Sequence, residues 1–322
     1  MVRLIQCGMG GMGETWLRTV LASGEAQYAG FVEVVPEIAR AQAIKHKLDA
    51  STVFPSLERA LKEVQADGVL IITPPRFHKE QSLQALEVGL PVLSEKPLAD
   101  TMEAAEEIVA AACRTGVLHM VAQNYRYNVP LQTLKATLGK LGKVGAVIVQ
   151  FSKGPHFGGF RDEMPYPLVI DMSIHHFDMM RYLLGGDAVS LTGYSWNPAW
   201  SWYKGDASTS LSLKFESAEF GAVFASYSAS WCATGAETPW NGNWRFDCER
   251  GTITLAGDQV YTQETGGEAV LVATVQPTHA GQAYLLHEFV RAVQGGPRPA
   301  TACQDNIKSL EIVFRALSEF GK

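Results

Sequence analysis

The first third of the chain alternates short apolar segments with helical ones, and this alternation constrains the fold more than any other feature. Residues 2–7 are typical of a buried strand, and residues 14–22 place apolar side chains at helical spacing. Residues 68–73, GVLIIT, contain no charged side chain, as in a parallel strand that is covered on both faces. Strand–helix alternation with short connections predicts a doubly wound, parallel α/β sheet.

A glycine-rich loop joins the first predicted strand to the first predicted helix. Residues 8–13 read GMGGMG and match G-x-G-x-x-G in the strand–loop–helix context where this pattern binds a dinucleotide. Glycine allows the tight turn, the approach of a pyrophosphate and the close packing of helix on strand, while the helix N-terminus offers its N–H groups to the phosphates. We therefore predict a Rossmann domain whose loop contacts the cofactor through Gly8, Met9, Gly10, Gly11, Met12 and Gly13.

An acidic residue ends the second predicted strand. Glu33 follows Gly13 by twenty residues, the spacing at which a carboxylate accepts hydrogen bonds from the adenosine ribose hydroxyls. The same carboxylate would repel a 2′-phosphate, and residues 34–37 include no lysine or arginine. The sequence therefore favours NAD over NADP as the cofactor.

The chain changes character after about residue 123. A strong helix is predicted at residues 171–184, with two more at 285–294 and 305–320, and the remainder alternates apolar and polar residues between turn signals. This pattern predicts an α+β domain with a large, mostly antiparallel open sheet, so we divide the chain into domains at residues 1–123 and 124–322. Its strands are predicted at residues 146–153, 189–197, 208–216, 221–231, 245–254 and 270–275.

The helix predicted at residues 171–184 carries polar side chains on one stripe. At about 100° per residue, Asp171, His175 and Asp178 share that stripe. We expect the three to point together toward a site, with Asp171 as the N-cap of the helix. His175 and His176 point about 100° apart and so cannot chelate one ion from a regular helix. No metal site is predicted.

The glycine loop, the polar helix and three further segments together resemble one known family. Over nearly its whole length, the chain resembles the glucose-fructose oxidoreductase / inositol dehydrogenase / rhizopine-catabolism (Gfo/Idh/MocA) family. The resemblance implies a nicotinamide-binding first domain and a second domain whose open sheet forms homodimers or homotetramers. It also implies redox chemistry at a carbinol carbon of a sugar or cyclitol. The segments that carry it are residues 8–13, Thr73-Pro74-Pro75 with His78, Glu95-Lys96-Pro97, Gln123-Asn124-Tyr125-Arg126 and residues 171–178. To the loop and Glu33 it adds, as cofactor contacts, Thr73, Pro74, Pro75, His78, Glu95, Lys96 and Gln123.

The resemblance also implies catalytic roles. The lysine of the E-K-P motif corresponds to Lys96, often followed by a cis Lys–Pro bond, and the D-x-x-x-H pair corresponds to Asp171 and His175. Oxidation of a secondary alcohol needs a base, and histidine accepts protons near neutral pH. We expect His175 to take the proton, Lys96 to stabilise the alkoxide and Asp171 to orient the pair, although Lys96 and His175 could exchange roles. Many relatives carry glycine and aspartate where this chain has Ser173 and His176.

The expected substrate contacts are polar groups set among aromatic side chains. Six of the seven tryptophans fall between residues 196 and 244. They could stack on sugar rings, or pack in the core or at a subunit interface. Arg126 and Arg161 could each meet an anionic substrate group or form structural ion pairs. The predicted contacts are Lys96, Tyr125, Arg126, His156, Arg161, Asp171, His175 and His176.

Composition limits the remaining possibilities. A net charge of −6 argues against a nucleic-acid partner, and no apolar segment approaches the roughly 20 residues of a membrane span. Five widely spaced cysteines without a C-x-x-C motif favour a reducing cytoplasm. The sequence therefore predicts an NAD-dependent dehydrogenase of a sugar or polyol. The alternatives are an NAD-dependent lyase or glycosidase that acts by transient oxidation, and a non-catalytic NAD-binding regulator.

Overall fold

The computed structural model describes residues 1–321; Lys322, the last residue of the predicted second domain, lies outside the described residues. The chain forms two compact units. Residues 1–124 and 279–307 make the first, and residues 125–278 with those from 308 onward make the second. The predicted second domain includes residues 279–307, whereas in the structure they belong to the first unit. Helical periodicity shows that this segment is helical but not which core it joins.

The first unit is built on a six-stranded parallel sheet of order β3-β2-β1-β4-β5-β6. This is the predicted doubly wound arrangement, and the strand order reverses between β1 and β4, whose carboxyl ends form the usual ligand crevice of such sheets. The strands are β1 (Val2–Cys7), β2 (Ala26–Val32), β3 (Val53–Phe54), β4 (Gly68–Ile71), β5 (Val92–Ser94) and β6 (His119–Val121). The helices are α1 (Gly11–Ser23), α2 (Pro36–His46), α3 (Leu57–Glu63), α4 (His78–Glu87), α5 (Met102–Thr115) and α8 (Gly281–Val293).

Local sequence signals explain several of these elements. All four residues of β4 are buried, as the uninterrupted apolar run predicts. A serine caps α3, because the Ser56 hydroxyl accepts a hydrogen bond of 3.3 Å from the backbone N–H of Arg59. Gly116 ends α5 in the left-handed conformation, which glycine adopts at little cost.

Residues 279–307 complete the core of the first unit. Phe289 on α8 is fully buried, and its ring lies 3.1 Å from where a Cβ at Gly68 would stand. A Cβ at this position of β4 would therefore crowd the ring. Further along, Ala302 forms an isolated antiparallel bridge with Met120 on β6, the edge strand of the sheet.

The second unit contains an eight-stranded sheet of order β14-β13-β12-β11-β7-β10-β9-β8. Only the β7–β10 pair is parallel, so the mostly antiparallel prediction is confirmed. The strands are β7 (Val144–Ser152), β8 (Gly186–Trp196), β9 (Ser208–Ser217), β10 (Gly221–Ser230), β11 (Asn243–Cys248), β12 (Gly251–Ala256), β13 (Gln259–Glu264) and β14 (Val270–Leu271). The helices are α6 (Val129–Thr137), α7 (Ile174–Leu184) and α9 (Cys303–Phe320), whose first residues lie in the first unit.

Three strand predictions differ from the structure. The strand predicted at residues 245–254 is a hairpin in which β11 turns into β12. The alternating pattern runs on through the two-residue turn, so the pattern alone does not show the reversal. The strand predicted at residues 270–275 is only two residues long, and β13 was not predicted. Within residues 1–321, no helix has both the length and the hydropathy that a membrane crossing requires.

Candidate active site

The glycines of the loop after β1 serve two purposes. Gly8 has a φ of +94°, and a Cβ there would lie 2.7 Å from the Ile72 carbonyl oxygen. A Cβ at Gly13 would lie 2.4 Å from the carbonyl oxygen of Gly8. A Cβ at Gly10, by contrast, would meet no protein atom within 4 Å. Two glycines therefore allow close packing of loop, helix and sheet, whereas Gly10 borders open space.

The start of α1 suits an anionic ligand. Gly10 is the N-cap residue, and no side chain within residues 1–321 caps this helix. The backbone N–H groups of the first turn and the open space beside Gly10 together fit the pyrophosphate of a dinucleotide. In that fit, Gly10, Gly11 and Met12 offer backbone groups, and Met12 is exposed.

Glu33 is fixed against this loop. Its Oε2 accepts a hydrogen bond of 2.9 Å from the Met9 backbone N–H, and its Oε1 accepts one of 3.0 Å from Val35. The carboxylate is thereby held beside the loop, and each oxygen retains capacity to accept a further hydrogen bond. This is the arrangement that recognition of ribose hydroxyls requires.

His78 connects two of the predicted cofactor segments. Its ring is fully buried, with Nε2 at 2.8 Å from the Thr73 carbonyl oxygen and Nδ1 at 2.9 Å from that of Pro97. Burial lowers the pKa of His78, while the carbonyl partners act in the opposite direction. His78 thus links the T-P-P and E-K-P segments, and its contact with the cofactor stays a prediction. Gln123 follows β6 and is also fully buried.

The E-K-P segment is held by the helix of the glycine loop. Trp16 on α1 donates a hydrogen bond of 2.6 Å from Nε1 to Glu95 Oε1, and the Lys96 backbone N–H donates to Glu95 Oε2 at 3.2 Å. The Lys96–Pro97 peptide bond is cis, the isomer that the resemblance implied. Lys96 itself is partly exposed. No sequence signal pointed to Trp16.

In the second unit, His175 is packed against Tyr125. The two rings stack with centroids 4.1 Å apart and planes 20° from parallel. His175 is only 5% exposed. Burial raises the pKa of Tyr125 to about 12, helped by the negative charge of Asp171. Tyr125 therefore keeps its proton at neutral pH and can donate a hydrogen bond.

Asp171 is placed differently from the prediction. Residues Leu168–Ser173 form a π-helical turn, and α7 begins only at Ile174, so Asp171 is not the N-cap residue. Its Oδ2 accepts a hydrogen bond of 2.6 Å from Arg161 Nε. A π turn holds more residues than an α turn, so the regular stripe does not extend from Asp171 into α7. Arg161 thus forms an ion pair within the chain, the second of its two predicted alternatives.

Asp178 does not join Asp171 and His175. Its carboxylate forms a buried ion pair with Arg126, with both side chains almost completely inaccessible. Ser309 on α9 also donates to Asp178 Oδ1, at 2.9 Å. Arg126 was predicted as a substrate contact or a structural ion pair, and the structure shows the ion pair.

Replacement of Asp178 by alanine should destabilise the protein by about 3–5 kcal/mol, because it leaves the buried Arg126 guanidinium without its carboxylate. Urea unfolding measures the change. Glu58→Ala is the matched control, since Glu58 pairs with Lys62 on the exposed surface, and its replacement should leave the free energy of unfolding nearly unchanged. A loss from Asp178→Ala as small as that of the control would contradict a structural role for the pair.

His176 lies in the core of the second unit. It is fully buried, with Nδ1 at 2.8 Å from the Tyr227 hydroxyl and Nε2 at 3.3 Å from the Trp240 carbonyl oxygen. Burial lowers the pKa of His176 to about 4. Ser173 lies at 2.9 Å from the same Tyr227 hydroxyl. The two departures from the family pattern therefore form one hydrogen-bond network, and a substrate contact at His176 stays a prediction.

Aromatic side chains pack against His156 and Phe157, which precede the π turn in the chain. The exposed His156 stacks on Trp202, with ring centroids 3.7 Å apart. The ring centroids of Phe157 and Trp240 are 6.2 Å apart. The side chains of Phe157 and Trp240 are 51% and 37% exposed. Trp231, at 2% exposure, is a packing residue. Both predicted uses of the tryptophans thus find candidates, packing for some and an accessible aromatic surface for others.

The structure groups the predicted residues within each unit. In the first, Glu33 meets the glycine loop, and the T-P-P and E-K-P segments meet through His78. In the second, Tyr125 stacks on His175, and Asp171 pairs with Arg161.

Two family models match the chain. The model described as "Oxidoreductase family, NAD-binding Rossmann fold" covers residues 2–123. The model described as "GFO/IDH/MocA C-terminal domain" covers residues 133–254.

Curated relatives extend over most of the chain. An uncharacterized protein, y4oX, of Sinorhizobium fredii is 30% identical over 98% of this chain and 92% of its own length. The scyllo-inositol 2-dehydrogenase (NAD(+)) of Bacillus subtilis is 26% identical over 87% of this chain and 83% of its own. The 1,5-anhydro-D-fructose reductase of Ensifer adhaerens is 26% identical over 79% and 78%.

Solved structures share the fold over the full length. An oxidoreductase from Agrobacterium radiobacter, in complex with NAD+, L-tartaric acid and magnesium, superposes with a TM-score of 0.87 at 19% identity, covering 100% of this chain and 96% of that one. The WlbA dehydrogenase of Bordetella pertussis, in complex with NADH and UDP-GlcNAcA, superposes with a TM-score of 0.82 at 18% identity. The superposition covers 99% of this chain and 96% of that one.

Proposed function

The chain belongs to the Gfo/Idh/MocA oxidoreductase family, and on that premise we propose that it is an NAD-dependent dehydrogenase acting on a secondary alcohol of a sugar, sugar derivative or cyclitol. The observation that carries the proposal is the cluster of Tyr125, His175 and Asp171, which places an imidazole, a neutral hydroxyl and a carboxylate in one part of the second unit. Relatives named as inositol and sugar dehydrogenases support this substrate class.

We assign the steps to residues as follows. When bound, NAD supplies the acceptor of the hydride from the carbinol carbon. His175 takes the hydroxyl proton as general base. Tyr125, which is held protonated, donates a hydrogen bond to the substrate. Asp171, fixed by Arg161, orients the cluster. Lys96 places its ammonium at the carbinol oxygen and stabilises the alkoxide.

We further propose a preference for NAD over NADP, which rests on Glu33. Both of its carboxylate oxygens are oriented by backbone N–H groups, so the negative charge is fixed at the end of β2. A 2′-phosphate brought there would face this charge, and residues 34–37 offer no cation to balance it.

Glu33→Ala is expected to lower kcat/KM with NAD by about 10- to 100-fold, because hydrogen bonds to a charged group contribute about 1.5–3 kcal/mol. The ratio of kcat/KM for NAD to that for NADP should fall with it. The measurement is steady-state kinetics with both cofactors. Glu37→Ala serves as the control, because Glu37 is an exposed acid in the first turn of α2, close to Glu33 in the chain. A wild-type enzyme that used NADP as well as NAD would contradict the role given to Glu33.

The assembly and location that we propose follow the resemblance. The second unit's sheet exposes large apolar side chains, among them Tyr194 at 79% and Phe224 at 60%, which suits a homodimer or homotetramer formed through this sheet. All five cysteines are free, which suits a reducing cytoplasm. Light scattering of the purified protein would determine the number of subunits.

The decisive experiment for the activity is a screen of sugars, sugar acids and inositols with NAD and with NADP. Net formation of NADH supports the dehydrogenase. Consumption of the sugar without net NADH would instead indicate a lyase or glycosidase that restores its cofactor. NAD binding without any turnover across the screen would indicate a regulator.

A further inference from the structure

Three potential metal ligands meet in the first unit, and none of them has a role in the proposed dehydrogenase activity. Glu25 lies in the turn between α1 and β2, His279 is the first residue of the segment that returns to this unit, and His287 lies on α8. One ligand atom from each of the three lies within 4.8 Å of the other two. His287 Nδ1 is 2.8 Å from Glu25 Oε1, and the two imidazole rings stack with centroids 4.5 Å apart.

The donor set selects the kind of ion. Two imidazole nitrogens and one carboxylate oxygen suit Zn²⁺ and related first-row transition ions, whereas Mg²⁺ and Ca²⁺ prefer oxygen ligands alone. With bonds of about 2.0–2.1 Å, ligand atoms on a tetrahedral Zn²⁺ stand roughly 3.3 Å apart. All three residues are half-buried, so their side chains can close the remaining distance by rotation, and solvent can supply both the ion and a fourth ligand.

We propose that Glu25, His279 and His287 form a Zn²⁺ site with a water as the fourth ligand. The site joins the α1–β2 turn to the start of the segment formed by residues 279–307. This segment supplies Phe289 to the core under Gly68, so a metal clamp at its first residue stabilises a long-range connection that no disulfide supports. The role is structural and is independent of the proposed dehydrogenase activity.

The test is isothermal titration calorimetry, in which ZnCl₂ is added to tag-free protein that a chelator has stripped of metal. We expect about one Zn²⁺ per chain and a rise in melting temperature that follows site occupancy, because an ion that binds only the folded state stabilises it. Single replacements His279→Ala and His287→Ala should each weaken binding by at least about tenfold, the lower end of the loss seen even for residues that only support a ligand. Glu25→Gln should also weaken it. Co²⁺ in place of Zn²⁺ should give the visible absorption of a tetrahedral site.

His46→Ala is the matched control. His46 also lies near a glutamate, with Nε2 at 3.7 Å from Glu14 Oε1, but among residues 1–321 it belongs to no three-ligand group. Its replacement should leave the titration unchanged. Absence of stoichiometric binding by the wild-type protein would overturn the proposal. Binding that survives both His279→Ala and His287→Ala, or binding of Mg²⁺ in preference to Zn²⁺, would overturn it equally.

Discussion

Replacement of His175 by alanine is expected to lower kcat by about 10²–10⁴-fold, the contribution of a well-placed general base. The imidazole is nearly buried and stacked on Tyr125, so its orientation is fixed before substrate binds. NAD affinity should be unaffected, because the glycine loop and Glu33 belong to the first unit. Steady-state formation of NADH, with the substrate found in the screen, measures the first effect, and NADH fluorescence titration measures the second.

Chemical rescue distinguishes a catalytic role for His175 from a packing role. Imidazole added to the buffer should restore part of the activity of His175→Ala, because the vacated space can admit a free base. His176→Ala is the matched control. Its ring fills the core beside Tyr227, so its loss should lower the melting temperature, and imidazole should restore no activity. Equal rescue of both variants, or full activity of His175→Ala, would contradict the assignment of the base.

The parts of the molecule that were predicted correctly depend on local sequence. The glycine loop needs only a strand, a turn without Cβ atoms and a helix, all within about a dozen residues, and the structure places Gly8 and Gly13 against backbone as expected. Consecutive apolar residues, such as those of β4, predict a strand that is buried on both faces, as in a parallel sheet. All four residues of β4 are buried. Local patterns therefore predicted the fold class and the NAD-binding Rossmann domain, whereas the family was identified from the resemblance.

The errors arose where partners are distant in sequence. Asp178 and Ser309 are 131 residues apart, and nothing in the helical spacing of Asp178 reveals that it is paired with Arg126. A stripe of polar residues on a helix is the same pattern whether it faces a ligand or a buried ion pair. The choice between these is made by tertiary packing, which single-sequence periodicity does not contain.

The π turn at Leu168–Ser173 shows a second kind of limit. An extra residue in one turn changes the direction of every side chain before it relative to those after it. Asp171 therefore pairs with Arg161 rather than lying in register with His175 on a regular helix. Composition gives no signal for such a turn, although π turns often occur at functional sites, and this one carries a residue of the proposed active site.

Replacement of Lys96 by alanine is expected to lower kcat by at least about 10²-fold while NAD remains bound, the loss seen when one group that stabilises a developing oxyanion is removed. The segment that carries Lys96 is held by Trp16 through Glu95 and by His78 through Pro97, so the backbone should keep its place without the side chain. Stopped-flow measurement of NADH formation separates the chemical step from product release. Lys62→Ala, in an exposed ion pair with Glu58 on α3, is the control and should keep full turnover.

The double replacement Lys96→Ala with His175→Ala decides whether the ammonium and the imidazole act on the same oxygen. Groups that serve one transition state as a unit have strongly non-additive effects, so the double variant should lose little more than the worse of the two single variants. If the losses instead multiply, the two residues contribute independently of each other, and the shared-oxygen assignment is wrong. The pH profiles of the single variants then divide the roles: the residue that accepts the proton is the one whose removal abolishes the acidic limb of kcat/KM. Near-normal turnover of Lys96→Ala would remove the lysine from the mechanism and leave His175 as the only ionisable group proposed at the reacting oxygen.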